Sequence, residues 1–252
     1  MTRKLYDEDA RLLEFSGTVL SCEYDEKKKG YLVILDQTAF FPEEGGQLPD
    51  RGLLDGKSVL DVKIKKNPET GSETILHLLK EPLEAGFQVT GQIDWNHRFD
   101  QMQQHSGEHI ISGLVHQHYQ YNNVGFHLGA EEVTLDFDGT LTLEQLREIE
   151  KKANQAVKEN FPVQIAFPDA QTLASLEYRS KIELKGAVRI VIFPGYDVCA
   201  CCAPHVERTG EIGLIKITNV QSHRGGVRVN ILCGDRAIAD YTRKQDSVSS
   251  IS

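Results

Sequence analysis

Two histidines four positions apart, His105 and His109, stand in the stretch Gln103-Gln104-His105-Ser106-Gly107-Glu108-His109. A second chemically capable group, Cys199-Ala200-Cys201-Cys202-Ala203-Pro204-His205, lies far downstream. Apolar Ile110, Ile111, Leu114 and Val115 follow the histidine pair with helical spacing. The two imidazoles therefore stack one turn apart on one helix face, where they can close on a single metal ion. A lone HxxxH pair also arises on solvated helix faces. With a cysteine and His205 it becomes a four-ligand set of nitrogen and sulfur, which suits zinc better than magnesium or calcium, whose ligands are oxygens. Ligands divided between a helix and a distant loop favour a site set into a fold for catalysis or substrate binding, although a purely structural zinc fits the same ligands. The stretch also matches H-x-x-E-H, which would make Glu108 the general base of a metallohydrolase or peptidase. Glu108 lies about 100° around the helix from His109, so a surface carboxylate or a hydrogen-bond partner of the ligands are its other readings. Four protein ligands leave zinc no open position unless its shell expands or one ligand is lost.

The elements that must position these groups are legible in outline. Residues 15–22 and 31–36 alternate as the strands of a hairpin, and 58–64, 74–79 and 88–94 continue a regular spacing of short strands and turns. This predicts a small β-barrel up to about residue 92. Between them, Glu43-Glu44-Gly45-Gly46-Gln47 reads as a tight exposed turn, whose glycines would let backbone N–H groups approach a ligand, with the Gln47 amide beside them. The histidine helix is expected over 98–120, followed by paired strands at 125–129 and 133–137. Thr142 and Gln145 form a capping box for a second long helix ending near Asn160. A strand at 163–167, a short helix at 170–178 and a buried strand at 188–193 deliver the chain to a cysteine loop. A closing hairpin pairs 214–220 with 227–232. The fold class is α+β: a glycine-rich N-terminal barrel over 1–92, an α+β domain over 93–236 with zinc between its long helix and an antiparallel sheet, and the start of a further helix at 237–252.

Composition narrows the function classes. The chain has 252 residues, enough for two modest domains, and a formal charge of -9, which argues against general electrostatic coating of DNA or RNA. Five cysteines, three of them crowded into 199–202, do not form a disulfide framework and point to a reducing cytoplasm. The sequence carries neither a signal peptide nor an apolar run of the roughly 20 residues that span a bilayer.

Four motifs occur in order: Thr38-x-Phe40-x-Pro42-Glu43-x-Gly45-Gly46-Gln47-x-x-Asp50-x-Gly52; Asp94-Trp95-x-x-Arg98-x-x-x-Met102-Gln103-Gln104-His105-x-x-x-His109; Cys201-x-x-x-His205-Val206-x-x-Thr209-Gly210-Glu211-Ile212-Gly213; and Gly226-Val227-Arg228-Val229. Over nearly the whole chain this resembles the alanyl-tRNA editing proteins, free-standing relatives of the alanyl-tRNA synthetase editing domain, which is itself related to that of threonyl-tRNA synthetase. The resemblance implies one zinc per chain on His105, His109, Cys201 and His205. It further implies ATP-independent hydrolysis of the ester in Ser-tRNA(Ala), and of Gly-tRNA(Ala), after recognition of the tRNA(Ala) acceptor end in the cytoplasm. Its physical rationale is that a synthetase pocket shaped for alanine cannot reject glycine or serine strongly enough.

Carried over residue by residue, Ser106 stands where family members often have Thr and would recognise the serine hydroxyl. Gln104 and Gln47 would serve the reaction centre, Gly45 and Gly46 would line the acceptor-end pocket, and Arg98, Arg224 and Arg228 would contact phosphate. The family's Cys-Gly-Gly-Thr-His is replaced by Cys201-Cys202-Ala203-Pro204-His205, so Cys199 and Cys202 compete with Cys201 for the thiolate position. The last helix reads as cut short, which predicts a longer protein and leaves open a dimer through a further C-terminal region. A zinc peptidase and a non-catalytic zinc-containing tRNA-binding module are the competing functions.

Overall fold

Alternation of buried and exposed side chains builds the first unit of the computed structural model, which describes residues 2–180 and 188–250. This unit covers residues 1–99 and the second covers 100–252. In the first, β1 (Arg3–Lys4) precedes α1 (Leu5–Glu8), and β2 (Glu14–Asp25), β3 (Gly30–Leu35), β4 (Gln37–Thr38), β5 (Gly52–Leu54), β6 (Lys57–Lys66), β7 (Glu73–Leu79) and β8 (Gln88–Ile93) follow. Six of these strands close into a barrel in the order β2-β3-β7-β6-β5-β8. Every neighbouring pair is antiparallel, and irregularities at Val19/Ser21 and Val59/Asp61 supply the extra bend that closure requires. In β8, exposed Gln88, Thr90 and Gln92 alternate with buried Val89, Gly91 and Ile93. The barrel is filled by Val33, Leu35, Phe40, Leu54, Val62, Ile75 and Leu79, none of which has accessible surface. Two polar groups share this interior. His77 bonds to Thr38 Oγ1 at 2.9 Å and to the Val33 carbonyl at 3.1 Å, and burial pulls its imidazole down to about 4.

The helix α2 (Trp95–Tyr119) starts in the first unit, where Asp94 Oδ1 accepts from the His97 N–H. It begins three residues earlier than the apolar pattern indicates, because the capping carboxylate and not the apolar stripe sets its first turn. In the second unit it is followed by β9 (Asn123–Leu128), β10 (Val133–Phe137), α3 (Leu143–Glu159), β11 (Gln164–Ala166), α4 (Ala170–Ser175), β12 (Ile190–Phe193), β13 (Asp197–Ala200), β14 (Ile215–His223), β15 (Gly226–Cys233) and α5 (Gly234–Ser249). An antiparallel sheet runs β14-β15-β10-β9, and a smaller one runs β11-β12-β13. The capping box of α3 is present: Thr142 accepts from the Gln145 N–H while the Gln145 side chain accepts from the Thr142 N–H. Leu146, Ile149, Ala153 and Ala156 form its buried stripe, and Asn160 ends it in the left-handed region.

The cysteine segment differs from the loop expected of it. Cys199 and Ala200 belong to β13, which pairs with β12 across a turn at Gly195, where φ is 80°. Only Cys201 and the residues after it leave the sheet. The helix expected over 237–252 begins at Gly234, and its last two positions, 251 and 252, lie outside the described residues. No helix among the described residues is long and apolar enough to cross a membrane.

Candidate metal centre

Two glycines bring α2 close to its sheet neighbours. A Cβ on Gly107 would crowd Cys233 Sγ of β15, and one on Gly113 would lie 2.8 Å from Asp197 Cβ, 3.0 Å from the Tyr196 carbonyl carbon and closer still to the Tyr196 oxygen. Each glycine costs the helix about 1 kcal/mol relative to alanine. The close approach they permit aims His105 and His109 at the end of β13.

There the rings of His105 and His109 stack with centroids 5.3 Å apart, and His205 stands edge-on to both, at 4.9 and 4.8 Å. Cys201 Sγ is 3.6 Å from His105 Nε2 and 3.4 Å from His205 Nε2. One donor atom from each of His105, His109, Cys201 and His205 falls within 4.8 Å of all the others. A tetrahedral zinc with bonds near 2.0–2.3 Å needs donor separations of about 3.4–3.8 Å, so the cysteine–histidine distances already match its edges. The donors also fit a metal on their own account: His109 Nε2 is buried and has no hydrogen-bond partner. Such an atom is costly unless a ligand takes its lone pair. The motif residues thus converge, and Cys201 is the thiol that joins all three imidazoles. Cys199 groups instead with His109 and Asp197.

Three further contacts hold the donors in place. Arg189 Nη1 donates to the carbonyls of Cys201 and Ala203, both at 2.9 Å, fixing the loop from below. Ser106 Oγ bonds to His205 Nδ1 at 3.0 Å and accepts from the Val206 N–H at 3.3 Å. His109 Nδ1 bonds to Asp197 Oδ2 at 2.8 Å, and Arg179 clamps that carboxylate through Nε and Nη2 at 2.7 and 2.8 Å. Asp197, Arg179 and Arg189 belong to no spacing pattern. The one available signal was that Asp197 opens the strand leading into the cysteines.

The electrostatics are those of a metal-free ligand set. Burial pulls the His109 imidazole down, but the Glu108 charge and the hydrogen bond to Asp197 outweigh it and raise it well above its ordinary value. Burial likewise pushes the Cys201 thiol up, yet the charges of His105 and His205 carry it well below the usual thiol range. His205 is driven down to about 3, chiefly by burial. Desolvation would raise Asp197, and its bonds to Arg179 and His109 reverse that and hold it below the carboxylate range.

Several residues carried over from the family pattern have structural partners that alter their reading. Glu108 is buried, not a surface carboxylate: its Oε1 accepts from Ser112 Oγ at 2.7 Å and Asn123 Nδ2 at 2.6 Å, and its Oε2 lies 3.9 Å from His109 Nε2. Ser106 has no accessible surface, and its Oγ bonds to His205 Nδ1. Gln104 mimics a strand: it donates to the Cys233 carbonyl at 2.8 Å and accepts from the Cys233 N–H at 2.7 Å, tying α2 to β15. In the first unit, Gly45 and Gly46 take φ of 63° and 86° between the bridged residues Glu44 and Gln47, as a type I′ turn requires, and Gln47 is buried.

Arg98 is not an exposed phosphate contact. It is fully buried, donates to both oxygens of Asp50, and donates to the carbonyls of Ala10 at 2.8 Å and Ala39 at 2.6 Å. Arg98 thus braces the interior of the first unit. Arg228 is paired through two bonds with Asp136, at 2.6 and 2.7 Å, whereas Arg224 sits exposed in the β14–β15 turn at φ 47°.

Comparison with known proteins agrees with this geometry. Residues 188–229, which include Cys201 and His205, match the family described as threonyl and alanyl tRNA synthetase second additional domain, and residues 6–97 match class II (A) tRNA synthetases. The chain is 32% identical over 227 residues to the alanyl-tRNA editing protein Aarsd1-A of Xenopus laevis, covering 88% of this chain and 54% of that protein. It is 30% identical over 263 residues to alanyl-tRNA editing protein Aarsd1 of Mus musculus, covering 98% and 62%. An alanine–tRNA ligase of Ignicoccus hospitalis is 32% identical over 270 residues, 28% of its length. The chain therefore spans between about half and two thirds of the editing proteins it matches. Bearing both family segments and this likeness over most of its length, the chain is a homologue of the alanyl-tRNA editing proteins.

Proposed function

We propose that the chain hydrolyses the ester of mischarged Ser-tRNA(Ala), and of Gly-tRNA(Ala), at one zinc ion held by His105, His109, Cys201 and His205. The observation that carries this reading is the convergence of four buried donors, one of them the unpartnered Nε2 of His109, in a chain homologous to editing proteins. When bound, zinc would supply a Lewis acid for a carbonyl or a water of lowered pKa. The protein's own groups prepare the place: Ser106 and Asp197 aim two imidazoles, Arg189 fixes the thiol loop, and Gln104 holds the helix to the sheet. Exclusion of water by the Phe126 ring, tilted against His105, and the Phe193 ring, stacked on His109, strengthens electrostatic interactions inside the site. Arg224, exposed and free of the Asp136 clamp that occupies Arg228, is the arginine suited to a phosphate of the acceptor end. The net charge of -9 favours a local contact with tRNA over general coating of nucleic acid. Five free thiols, all among the described residues, suit the reducing cytoplasm where charged tRNA is used.

A second reading draws on Glu108: with Oε2 3.9 Å from His109 Nε2, this carboxylate can act as the general base of a broader metallohydrolase. Deacylation of Ser-tRNA(Ala) and Gly-tRNA(Ala), with Ala-tRNA(Ala) as control, tests both readings. Serine release that is lost in His109→Ala and in zinc-stripped protein is the expected result. Peptide cleavage abolished by Glu108→Gln, with tRNA esters untouched, would replace editing by the second reading, and one zinc per chain with no turnover would make the chain a binding module.

A further inference from the structure

The chain Arg179–Asp197–His109 has a property beyond holding a ring in place. Asp197 is 5% exposed, and as a carboxylate it can only accept hydrogen bonds. Its Oδ1 receives Arg179 Nε, and its Oδ2 receives both Arg179 Nη2 and His109 Nδ1. In the neutral ring Nδ1 must therefore carry the proton, which leaves the lone pair on Nε2, a buried nitrogen with no hydrogen-bond partner and with Glu108 Oε2 3.9 Å away. Arg179 is itself fixed by backbone: its N–H donates to the Val198 carbonyl at 2.8 Å and its carbonyl accepts from the Ala200 N–H at 2.9 Å. The guanidinium thus travels with β13 and has one orientation toward Asp197.

We infer that Asp197 and Arg179 are positioning residues that select the metal-binding tautomer of His109, and that Arg179 makes this selection depend on a carboxylate. The inference rests on the four-donor reading of the site. Consider Asp197→Asn. Asparagine offers one oxygen and one NH2, and the guanidinium, which only donates, claims the oxygen. The NH2 is then turned toward His109 Nδ1, which can meet it only as an acceptor, so the proton moves to Nε2 and blocks the lone pair. Removing the guanidinium as well lets the asparagine rotate its oxygen back to Nδ1. Arg179→Met, which keeps bulk but no donor, therefore leaves the tautomer unchanged in the native background, where the carboxylate can only accept, and is beneficial beside Asp197→Asn.

The experiment is zinc affinity by chelator competition on the full chain, paired with 15N shifts of His109 in metal-free, histidine-labelled protein, followed up the pH scale until the His109 ring is neutral. Asp197→Asn is expected to weaken zinc about 10–100-fold and to move the proton from Nδ1 to Nε2; the double variant is expected to recover part of both. Native-like affinity in Asp197→Asn, a double variant weaker than Asp197→Asn alone, or a native metal-free His109 whose neutral ring carries its proton on Nε2 and not on Nδ1 would each overturn the inference. If the native chain binds no zinc, the four-donor reading fails, while the 15N spectrum still decides the tautomer. Should Asp197→Asn fail to fold, the native spectrum and the Arg179→Met/Asp197→Asn double variant carry the decision: a neutral His109 with its proton on Nε2 in either protein would overturn the inference.

Discussion

Replacing Gly113 by alanine sets two forces of known sign against each other. In an unconstrained helix the change stabilises by about 1 kcal/mol, because glycine is the poorer helix former. Here the new Cβ would lie 2.8 Å from Asp197 Cβ, where two carbons prefer about 3.5–4.0 Å. Helix and strand must separate by at least about 0.7 Å at this point. The same movement stretches the 2.8 Å bond between His109 Nδ1 and Asp197 beyond useful length. Overpacking of this kind typically costs 1–3 kcal/mol, so after the propensity gain the net loss is about 0–2 kcal/mol, accompanied by weaker metal binding. Urea unfolding of the metal-free chain reads the first quantity, and chelator competition reads the second. A variant that is more stable by about 1 kcal/mol with unchanged zinc affinity would refute the close-approach reasoning, since propensity alone would then account for the position.

Two further predictions concern the first unit. Asp50→Ala leaves the fully buried Arg98 guanidinium without its carboxylate, and a loss of about 3–5 kcal/mol is expected in urea unfolding; a loss under 1 kcal/mol would show that the carbonyl acceptors suffice. His77 titrates at about 4 in the folded chain against 6.5 when unfolded, so between those values the unfolded state binds more protons and stability falls as pH falls. The loss should approach about 3 kcal/mol by the lower value, since each unit is worth about 1.4 kcal/mol. His77→Leu should flatten this part of the pH profile, and parallel profiles for the two proteins would remove His77 as its source.

The metal ligands were legible because each pair is local: His105 with His109 in one helical turn, Cys201 with His205 in one loop. The strands of the barrel were legible from alternation, as in Gln88–Ile93. What escaped was set by tertiary pairing. Arg179 and Asp197 have no mutual spacing that distinguishes them from any other surface pair, and they meet only because Arg179 bonds alongside β13. Ser106, Gln104 and Arg98 were read by what their side chains can do. The fold decided whom they face: His205, the Cys233 backbone and Asp50. Short strands such as β5, with three residues, and β13, with four, fall below the length at which alternation declares itself.

The separation of the two ligand pairs along the chain imposes an order of assembly. At about 5–20 residues per second, the ribosome delivers Cys201 and His205 on the order of 5–20 s after His105 and His109. Throughout that interval the nascent helix carries two imidazoles that the finished protein hides, together with Gly107 and Gly113, which weaken it until Cys233 and Tyr196 arrive to fill their notches. The first unit has all its strands by Ile93 and its Arg98 brace soon after, so its own parts are in hand throughout this time. Those of the second unit are not: its histidine helix waits for β13 and β15, so the cluster of donors is among the last features of the molecule to come into being.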